Sequence, residues 1–284
     1  MEHILSGRAA AADLQAKLKE RVLALQAGGI VPTLATVRVG EDGADASYEW
    51  AIVRVCQNVG IRLQKHVLPL GCGQAALEDQ LRRLDRDPET SGILLFRPLP
   101  KALDEAAAAA CIRPGKDVDC MTEAALAGVY LGTSGSWAPC TAEGCMRLLA
   151  HYGVDPAGMH AVVLGRSAVV GRPLATLLLR ANATVTVCHS KTRDLAAVCR
   201  SADLLVAALG KEHFVGPEYI KPGAVVLDVG VHWNAAAGKM TGDVDFDAVA
   251  PLAGAISPVP GGVGAMTSTM LAAHVVAAAE AQKE

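Results

Sequence analysis

The feature that most constrains the fold is an alternation of short apolar runs with longer stretches of helical periodicity. In the first part of the chain, TLATVRV (33–39), IRLQKHVL (61–68) and GILLFRPLP (92–100) are strand-like. Between them, apolar residues recur at helical spacing, as they do in residues 8–27. Such alternation indicates right-handed βαβ units on a mostly parallel sheet.

A second alternating series follows a segment rich in turn-forming residues at 114–140. We therefore predict an α/β protein of two α/β domains, with the boundary near residue 140 and the second domain a Rossmann-type doubly wound parallel sheet. In this second series the sequence predicts strands at 160–165, 183–190, 203–210 and 223–230 and helices at 171–182, 193–201 and 265–282.

Composition narrows the classes of function. The chain has 284 residues, 19% of them charged, and a net charge of −3, which gives no general reason to expect nucleic acid or a membrane as partner. The N-terminus turns polar too early for a secretory signal, and the apolar run MLAAHVVAAAEAQ is too short and polar for a bilayer span. Eight cysteines without metal-ligand spacing predict free thiols, no metal site and a cytoplasmic protein.

The strongest local signal is VVLGRSAVVGRPLATLLL (162–179), where an apolar strand ends at Gly165 and a helix opens at Gly171. A doubly wound sheet binds a dinucleotide pyrophosphate at such a strand-to-helix turn. The spacing is G-x5-G rather than the G-x-G-x-x-G fingerprint. A nucleotide site and an ordinary βα turn therefore both remain open.

The end of the next strand favours the nucleotide site. Enzymes that use NAD place a carboxylate there for the ribose 2′-hydroxyl, but here the residues are CHSKT (188–192). His189, Ser190 and Lys191, with Arg166 in the preceding loop, suit a 2′-phosphate, which predicts NADP rather than NAD. The alternative is that His189 and Lys191 are solvated loop residues.

Two further loops carry candidate chemistry. GKDVDC (115–120) places two carboxylates two positions apart, which is typical of local turn capping but could also bind the N–H groups of a heterocycle. SPVPGGVGAMT (257–267) is either a stiff connector or a loop that lets a flat ligand approach the backbone. Upstream, SYEWAIVRV (47–55) has Tyr48 and Ile52 on one side of a predicted helix, with Arg54 the nearby cation.

Together these stretches resemble one family along nearly the whole chain, the bifunctional methylenetetrahydrofolate dehydrogenase/methenyltetrahydrofolate cyclohydrolases of bacteria. The resemblance implies a folate-binding catalytic domain (1–140), an NADP-binding Rossmann-type domain (141–267) and a C-terminal helix (268–284) that packs back on the first domain. It also implies tetrahydrofolate derivatives, including polyglutamylated forms, as substrates, and a homodimer. The matching words are VRVGEDGADASYEWAIVRVCQNVGI, GILLFRPLP, GKDVDC, PCTAEG, GRSAVVGRP, VTVCHSKTRDL, VLDVGV and SPVPGGVGAMT.

The resemblance also assigns roles residue by residue. Tyr48 would stack against the folate, and Asp119 would bind its pterin ring. The substrate cleft would be lined by Pro260, Gly261, Gly262, Val263 and Gly264. The cofactor would contact Gly165, Arg166, Ser167, Ser190 and Val231, with Arg166 and Ser190 on the 2′-phosphate.

Several positions depart from this pattern, with smaller changes at Asp45, Arg97, Ala142 and Ala265 and two larger ones. The family places a lysine four residues after the tyrosine, where this chain has Ile52, and a glutamine two residues before the first proline of P-L-P, where it has Phe96. That lysine activates the cyclohydrolase step, so we expect hydride transfer to survive and cyclohydrolase activity to be weak or absent. Arg54 and Arg97 are the candidates for a substitute, but an arginine is too basic to accept a proton, and adjacent strand residues point to opposite faces.

Two other readings remain. One is a different two-domain NADP dehydrogenase, of the shikimate or amino-acid type, although a catalytic Lys/Asp pair cannot be placed in the first domain. The other is a catalytically silent folate- or nucleotide-binding protein, since two active-site positions have turned apolar.

Overall fold

The computed structural model describes residues 3–40, 43–133, 137–235 and 238–282, with the side chains of 43–47 excepted. The chain divides into two compact units. The first unit comprises Asp13–Cys140 and Ser268–Glu284, and the second comprises Met1–Ala12 and Thr141–Thr267.

The first unit is built on a parallel three-stranded sheet in the order β2-β1-β3. Its strands are β1 (Thr33–Val39), β2 (Arg62–Leu68) and β3 (Gly92–Leu95). Its helices, of which α1 begins in the second unit, are α1 (Gly7–Ala27), α2 (Gly43–Val59), α3 (Gln74–Arg86), α4 (Glu105–Ala109) and α5 (Glu123–Leu131).

The second unit carries a parallel five-stranded sheet, β4 (His160–Leu164), β5 (Thr184–Cys188), β6 (Leu204–Ala207), β7 (Val225–Asp228) and β10 (Ala255–Ile256), in the order β10-β7-β6-β4-β5. An antiparallel hairpin pairs β8 (His232–Asn234) with β9 (Lys239–Thr241). The remaining helices are α6 (Cys140–His151), α7 (Gly171–Arg180), α8 (Leu195–Cys199), α9 (Phe246–Val249) and α10 (Val263–Ala281), of which α6 begins and α10 ends in the first unit.

The strand order of this sheet positions a ligand site. Counted within the unit, the order is 2-1-3-4-5, so the direction of winding reverses between β4 and β6. In doubly wound sheets, ligands bind at the carboxyl ends of the strands beside this reversal. The loop that begins at Gly165 follows β4 at that position.

Most predicted elements are present, with their ends shifted by a few residues. The largest error concerns the strand predicted at 92–100, because β3 ends at Leu95. The next residues include Pro98 and Pro100, which have no backbone N–H to donate to a ladder.

The C-terminal helix α10 has 19 residues and is long and apolar enough to cross a membrane by length and composition. This differs from the expectation that the apolar run is too short. Two-thirds of the qualifying window (67%) is buried inside the protein, which is typical of a core helix. Each of the eight cysteines is in the thiol form. Within the described ranges, no group of three His, Cys, Asp or Glu side chains could hold a metal ion.

Candidate functional site

Helix α2 presents Tyr48, Ile52 and Cys56 on one apolar face. Ile52 is 1% exposed and lies in a hydrophobic cluster that also contains Phe96 from the end of β3. Tyr48 packs against the same cluster, and its ring meets Phe96 edge-on, with the ring centres 5.9 Å apart. The structure therefore brings together Tyr48 and the two positions, Ile52 and Phe96, at which a lysine and a glutamine were expected from the family resemblance.

Arg54 does not enter this cluster. Its side chain is exposed on the outer face of α2, and its guanidinium stacks over the exposed ring of Trp50 at 4.8 Å. A cation on this outer face cannot take the place of a lysine at position 52, because the side chain of Ile52 is oriented toward the protein core.

The two carboxylates of GKDVDC have different environments. Asp117 is fully buried and accepts hydrogen bonds from the backbone N–H groups of Met121 (3.0 Å) and Thr122 (2.8 Å). Lys116 is also buried and donates to the backbone carbonyls of Leu84 and Asp87. These two residues hold the turn, and the remaining carboxylate is that of Asp119.

Asp119 lies at the edge of the protein, with 21% of its side chain exposed. Burial by the surrounding atoms raises the pKa of its carboxyl, while the charge of Arg97 and a hydrogen bond from Cys140 partly oppose this shift. Burial also raises the pKa of the Tyr48 hydroxyl, and proximity to Cys140 and then to Asp119 contributes to the shift. Tyr48 and Asp119 are therefore close enough to interact electrostatically.

The side chain of Arg97 lies beside that of Asp119, a contact that the sequence did not predict. Its Nη2 is 3.5 Å from Oδ2 of Asp119, and its Nη1 is 3.7 Å from Oε1 of Glu105. The argument that neighbouring strand residues point to opposite faces does not apply, because Phe96 and Arg97 both follow the end of β3.

In the second unit, the loop after β4 requires glycine at two positions. Gly165 has φ +121°, and a Cβ on it would lie 2.1 Å from the backbone oxygen of Ala208 after β6. A Cβ on Gly171 would lie 2.2 Å from the carbonyl oxygen of Gly165. Ser167 closes the loop, since its Oγ accepts hydrogen bonds from the N–H groups of Val170 (3.1 Å) and Gly171 (3.4 Å).

Arg166 and Ser190 follow neighbouring strands at the same edge of the sheet. Leu164 of β4 pairs with Cys188 of β5, and both Arg166 and Ser190 are exposed. His189 accepts a hydrogen bond at Nδ1 from the N–H of Lys191 (3.1 Å), so its ring also shapes this turn. The residues predicted for a 2′-phosphate thus stand at one edge, beside the glycine loop.

A pocket of about 260 Å³ lies beside β7 and the loop before α10. Several residues that line this pocket were not predicted, among them Asp228, Arg8 and Met240. Val263, which was predicted to line the substrate cleft, does not line this pocket and is 1% exposed. The predicted residues that line the pocket are Val231, Pro260, Gly261, Gly262 and Gly264.

Asp228 is a buried carboxylate at the carboxyl end of β7. It accepts hydrogen bonds from the backbone N–H groups of Gly230 (3.0 Å), Asp243 (3.0 Å) and Val244 (2.9 Å). Burial nevertheless raises its pKa to about 6. An aspartate that ends the strand VVLD is a recognisable sequence signal, because ligands bind at this edge of such sheets. Arg8 had no such signal, since tertiary structure alone brings it to Gly261.

Comparison with known proteins identifies the family. Residues 5–119 match the family model of the tetrahydrofolate dehydrogenase/cyclohydrolase catalytic domain, and residues 139–283 match that of the corresponding NAD(P)-binding domain. The chain belongs to the tetrahydrofolate dehydrogenase/cyclohydrolase family. Its resemblance to this family is confirmed over both halves of the sequence.

Individual members of the tetrahydrofolate dehydrogenase/cyclohydrolase family match over nearly the full length. The bifunctional protein FolD of Moorella thermoacetica is 47% identical over 97% of this chain and 98% of its own. The crystal structure of the bifunctional enzyme FolD from Campylobacter jejuni superposes with a TM-score of 0.95 at 37% identity, covering 98% of both chains. The enzyme from Trypanosoma brucei, solved with NADP cofactor and an inhibitor, gives a TM-score of 0.94 at 35% identity over 99% and 98% of the chains.

Proposed function

We propose that this protein is an NADP-dependent 5,10-methylenetetrahydrofolate dehydrogenase whose methenyltetrahydrofolate cyclohydrolase activity is weak or absent. One observation carries the second part of the proposal. Ile52 and Phe96 are both buried in one apolar cluster beside Tyr48, so neither of these two described side chains can transfer a proton.

The residues of the second unit fit NADP. When bound, the cofactor supplies the hydride acceptor. Gly165 and Gly171 keep side-chain atoms away from the turn after β4, so a pyrophosphate can approach backbone N–H groups at the start of α7. Exposed Arg166 and Ser190 would hold the 2′-phosphate. Val231 contributes to the wall of the neighbouring pocket.

The residues of the first unit fit the folate. The carboxylate of Asp119 can accept from the N–H donors of a pterin ring, because the turn is already held by Asp117. The ring of Tyr48 offers an aromatic face for stacking, and its edge-to-face contact with Phe96 holds the ring in position. We therefore assign folate binding to this unit and NADP binding to residues 141–267. We also propose that Pro260, Gly261, Gly262 and Gly264 contact the substrate.

The two reactions of the family place different demands on these residues. Hydride loss from the methylene carbon leaves a cation that the adjacent folate nitrogens delocalise, so the protein mainly positions the reactants. Hydrolysis of the methenyl cation requires addition of water, proton movement and ring opening, which depend on a tuned acid or base. Ile52 cannot transfer a proton. Arg54 is turned away and stacks on Trp50, and an arginine side chain such as that of Arg97 is a hydrogen-bond donor with no acceptor atom.

The dehydrogenase activity is tested by following reduction of NADP or NAD with methylenetetrahydrofolate. We expect turnover with NADP and a much lower kcat/KM with NAD. Binding of both ligands without turnover would instead support a catalytically silent folate- and nucleotide-binding protein. Equal turnover with both cofactors would contradict the assignment of Arg166 and Ser190 to the 2′-phosphate.

The cyclohydrolase prediction is tested with methenyltetrahydrofolate, whose absorbance decays on hydrolysis. We expect the purified protein to leave the decay at its rate in buffer. The double variant Ile52→Lys with Phe96→Gln should accelerate the decay, because it restores an amine with a hydrogen-bonding partner. Ile52→Met with Phe96→Gln is the matched control and should not. Rapid decay with the unmodified protein would show full bifunctionality with a substitute base.

Three broader assignments accompany this proposal. The eight thiols suit a reducing compartment, so we place the protein in the cytoplasm. We also propose that it acts on tetrahydrofolate derivatives, including polyglutamylated ones, as a homodimer. Size-exclusion chromatography with light scattering tests the dimer directly.

A further inference from the structure

Arg97 is a charged residue that the proposed reaction does not use. Its two terminal nitrogens are held by different carboxylates, that of Asp119 at 3.5 Å and that of Glu105 at 3.7 Å. Glu105 is itself positioned by the backbone N–H of Leu99, which donates to it at 3.4 Å. The guanidinium is therefore held beside Asp119. The side chains of Arg97 and Asp119 are each 21% exposed.

The guanidinium keeps hydrogen-bonding capacity in this position. Arginine has about five N–H donors in a planar fork, and the two ion-pair contacts involve one terminal nitrogen each. The remaining donors stand next to the carboxylate of Asp119. The pair thus presents an acceptor and a cationic donor side by side.

This arrangement matches one edge of a pterin. The 2-amino group and N3–H are donors, and the 4-oxo group beside them is an acceptor. If Asp119 accepts from the two donors, the adjacent position calls for a donor to the 4-oxo oxygen. We propose that Arg97 is a specificity-determining residue that donates to the 4-oxo group of the folate. This inference rests on the proposed function, in which Asp119 binds the pterin.

The test compares folic acid with aminopterin, which carries a 4-amino group in place of the 4-oxo group and therefore has no hydrogen on N3. Each inhibitor is compared between wild type and variant, so that only the contribution of Arg97 changes. Both are measured as inhibitors of the dehydrogenase reaction in the wild type, R97M and R97K. In R97M the inhibition constant of folic acid should rise about 10-fold or more, because a charged donor to its oxygen is lost. That of aminopterin should stay the same or fall, since its amino group has no lone pair suited to Arg97.

R97K should keep part of the discrimination between the two inhibitors, because an ammonium also donates to an oxo group but does not reproduce the fork of the guanidinium. The matched control is R62L, which removes an exposed arginine paired with Glu89 at 3.3 Å in the same unit and should change neither constant. Thermal unfolding of each variant verifies that it is folded.

The outcomes separate this inference from the proposed function. Parallel changes for both inhibitors in R97M overturn the role of Arg97. A wild type that neither oxidises methylenetetrahydrofolate nor binds folic acid overturns the proposed function instead.

Discussion

Asp117 and Asp119 are the same residue type two positions apart, yet their surroundings give them opposite tasks. Asp117 is fully buried and saturated by two backbone N–H groups. Asp119 borders solvent and has a cation beside it. A turn that satisfies itself with one carboxylate leaves the next available for a ligand, so the local-capping and ligand-binding readings of GKDVDC are both compatible with the structure.

Because of these environments, an alanine substitution at Asp117 should mainly affect stability, whereas one at Asp119 should mainly affect substrate binding. Asp117→Ala leaves two buried N–H groups without acceptors and should lower the free energy of unfolding by about 3 kcal/mol. Asp119→Ala removes a partly exposed ion pair and should change it by about 1 kcal/mol or less. The dehydrogenase KM for methylenetetrahydrofolate should rise strongly only in the second variant. Denaturant unfolding and steady-state kinetics measure both effects. A stable Asp117→Ala protein would contradict this division of roles.

At the scale of elements, the turn from β4 to α7 depends on backbone space. The carbonyl oxygen of Ala208 occupies the volume that a side chain on Gly165 would need, and the oxygen of Gly165 does the same for Gly171. Strand, loop and helix start are therefore packed backbone against backbone. The G-x5-G spacing is a structural requirement of this turn, even though it departs from the standard fingerprint.

Gly165→Ala should therefore disrupt this turn. The backbone has φ +121° and the added carbon would lie 2.1 Å from an oxygen, so we expect a loss of about 2–5 kcal/mol in stability. The dissociation constant for NADP should rise as well, because the turn must move. Gly115→Ala is the control, since its added carbon meets nothing within 4 Å and should leave both quantities unchanged. Calorimetry supplies the melting temperature and the affinity; an unaffected Gly165→Ala protein would refute the packing argument.

At the scale of the whole molecule, the stability of the fold is linked to pH through Asp228. Its pKa in the folded protein is about 6, above the ordinary value of 3.8, because burial disfavours the charged form. Between these pH values the folded protein binds more protons than the unfolded chain. The stability contributed by this group is therefore present below about pH 4 and is lost as the pH rises to about 6.

Asp228→Asn should remove this dependence. Between pH 4 and pH 6 the wild type should lose on the order of 3 kcal/mol of unfolding free energy relative to the variant. Any loss from replacing an acceptor by an amide is the same at every pH and does not affect the slope. Groups that are common to both proteins and distant from position 228 largely cancel in the difference. Parallel pH profiles would show that Asp228 titrates normally.

The sequence by itself determined the α/β class, most of the longer strands and helices and the position of the glycine turn. Local periodicity and turn-forming residues encode these features directly, as in β4, β5 and α7. The family was recognisable because several short sequence segments occur in the expected order.

Only the tertiary structure decided which side chains meet. Arg97 reaches Asp119 because β3 ends before the prolines, and Arg8 joins the pocket beside Asp228 through contacts across more than 200 positions of sequence. Ile52 and Phe96 lie in one buried cluster because α2 packs against the end of β3. Long-range packing fixes such contacts, whereas periodicity reports only on neighbours along the chain. For that reason the burial of Ile52 and Phe96 in one cluster followed from the fold, whereas the expected loss of the family lysine stays a prediction.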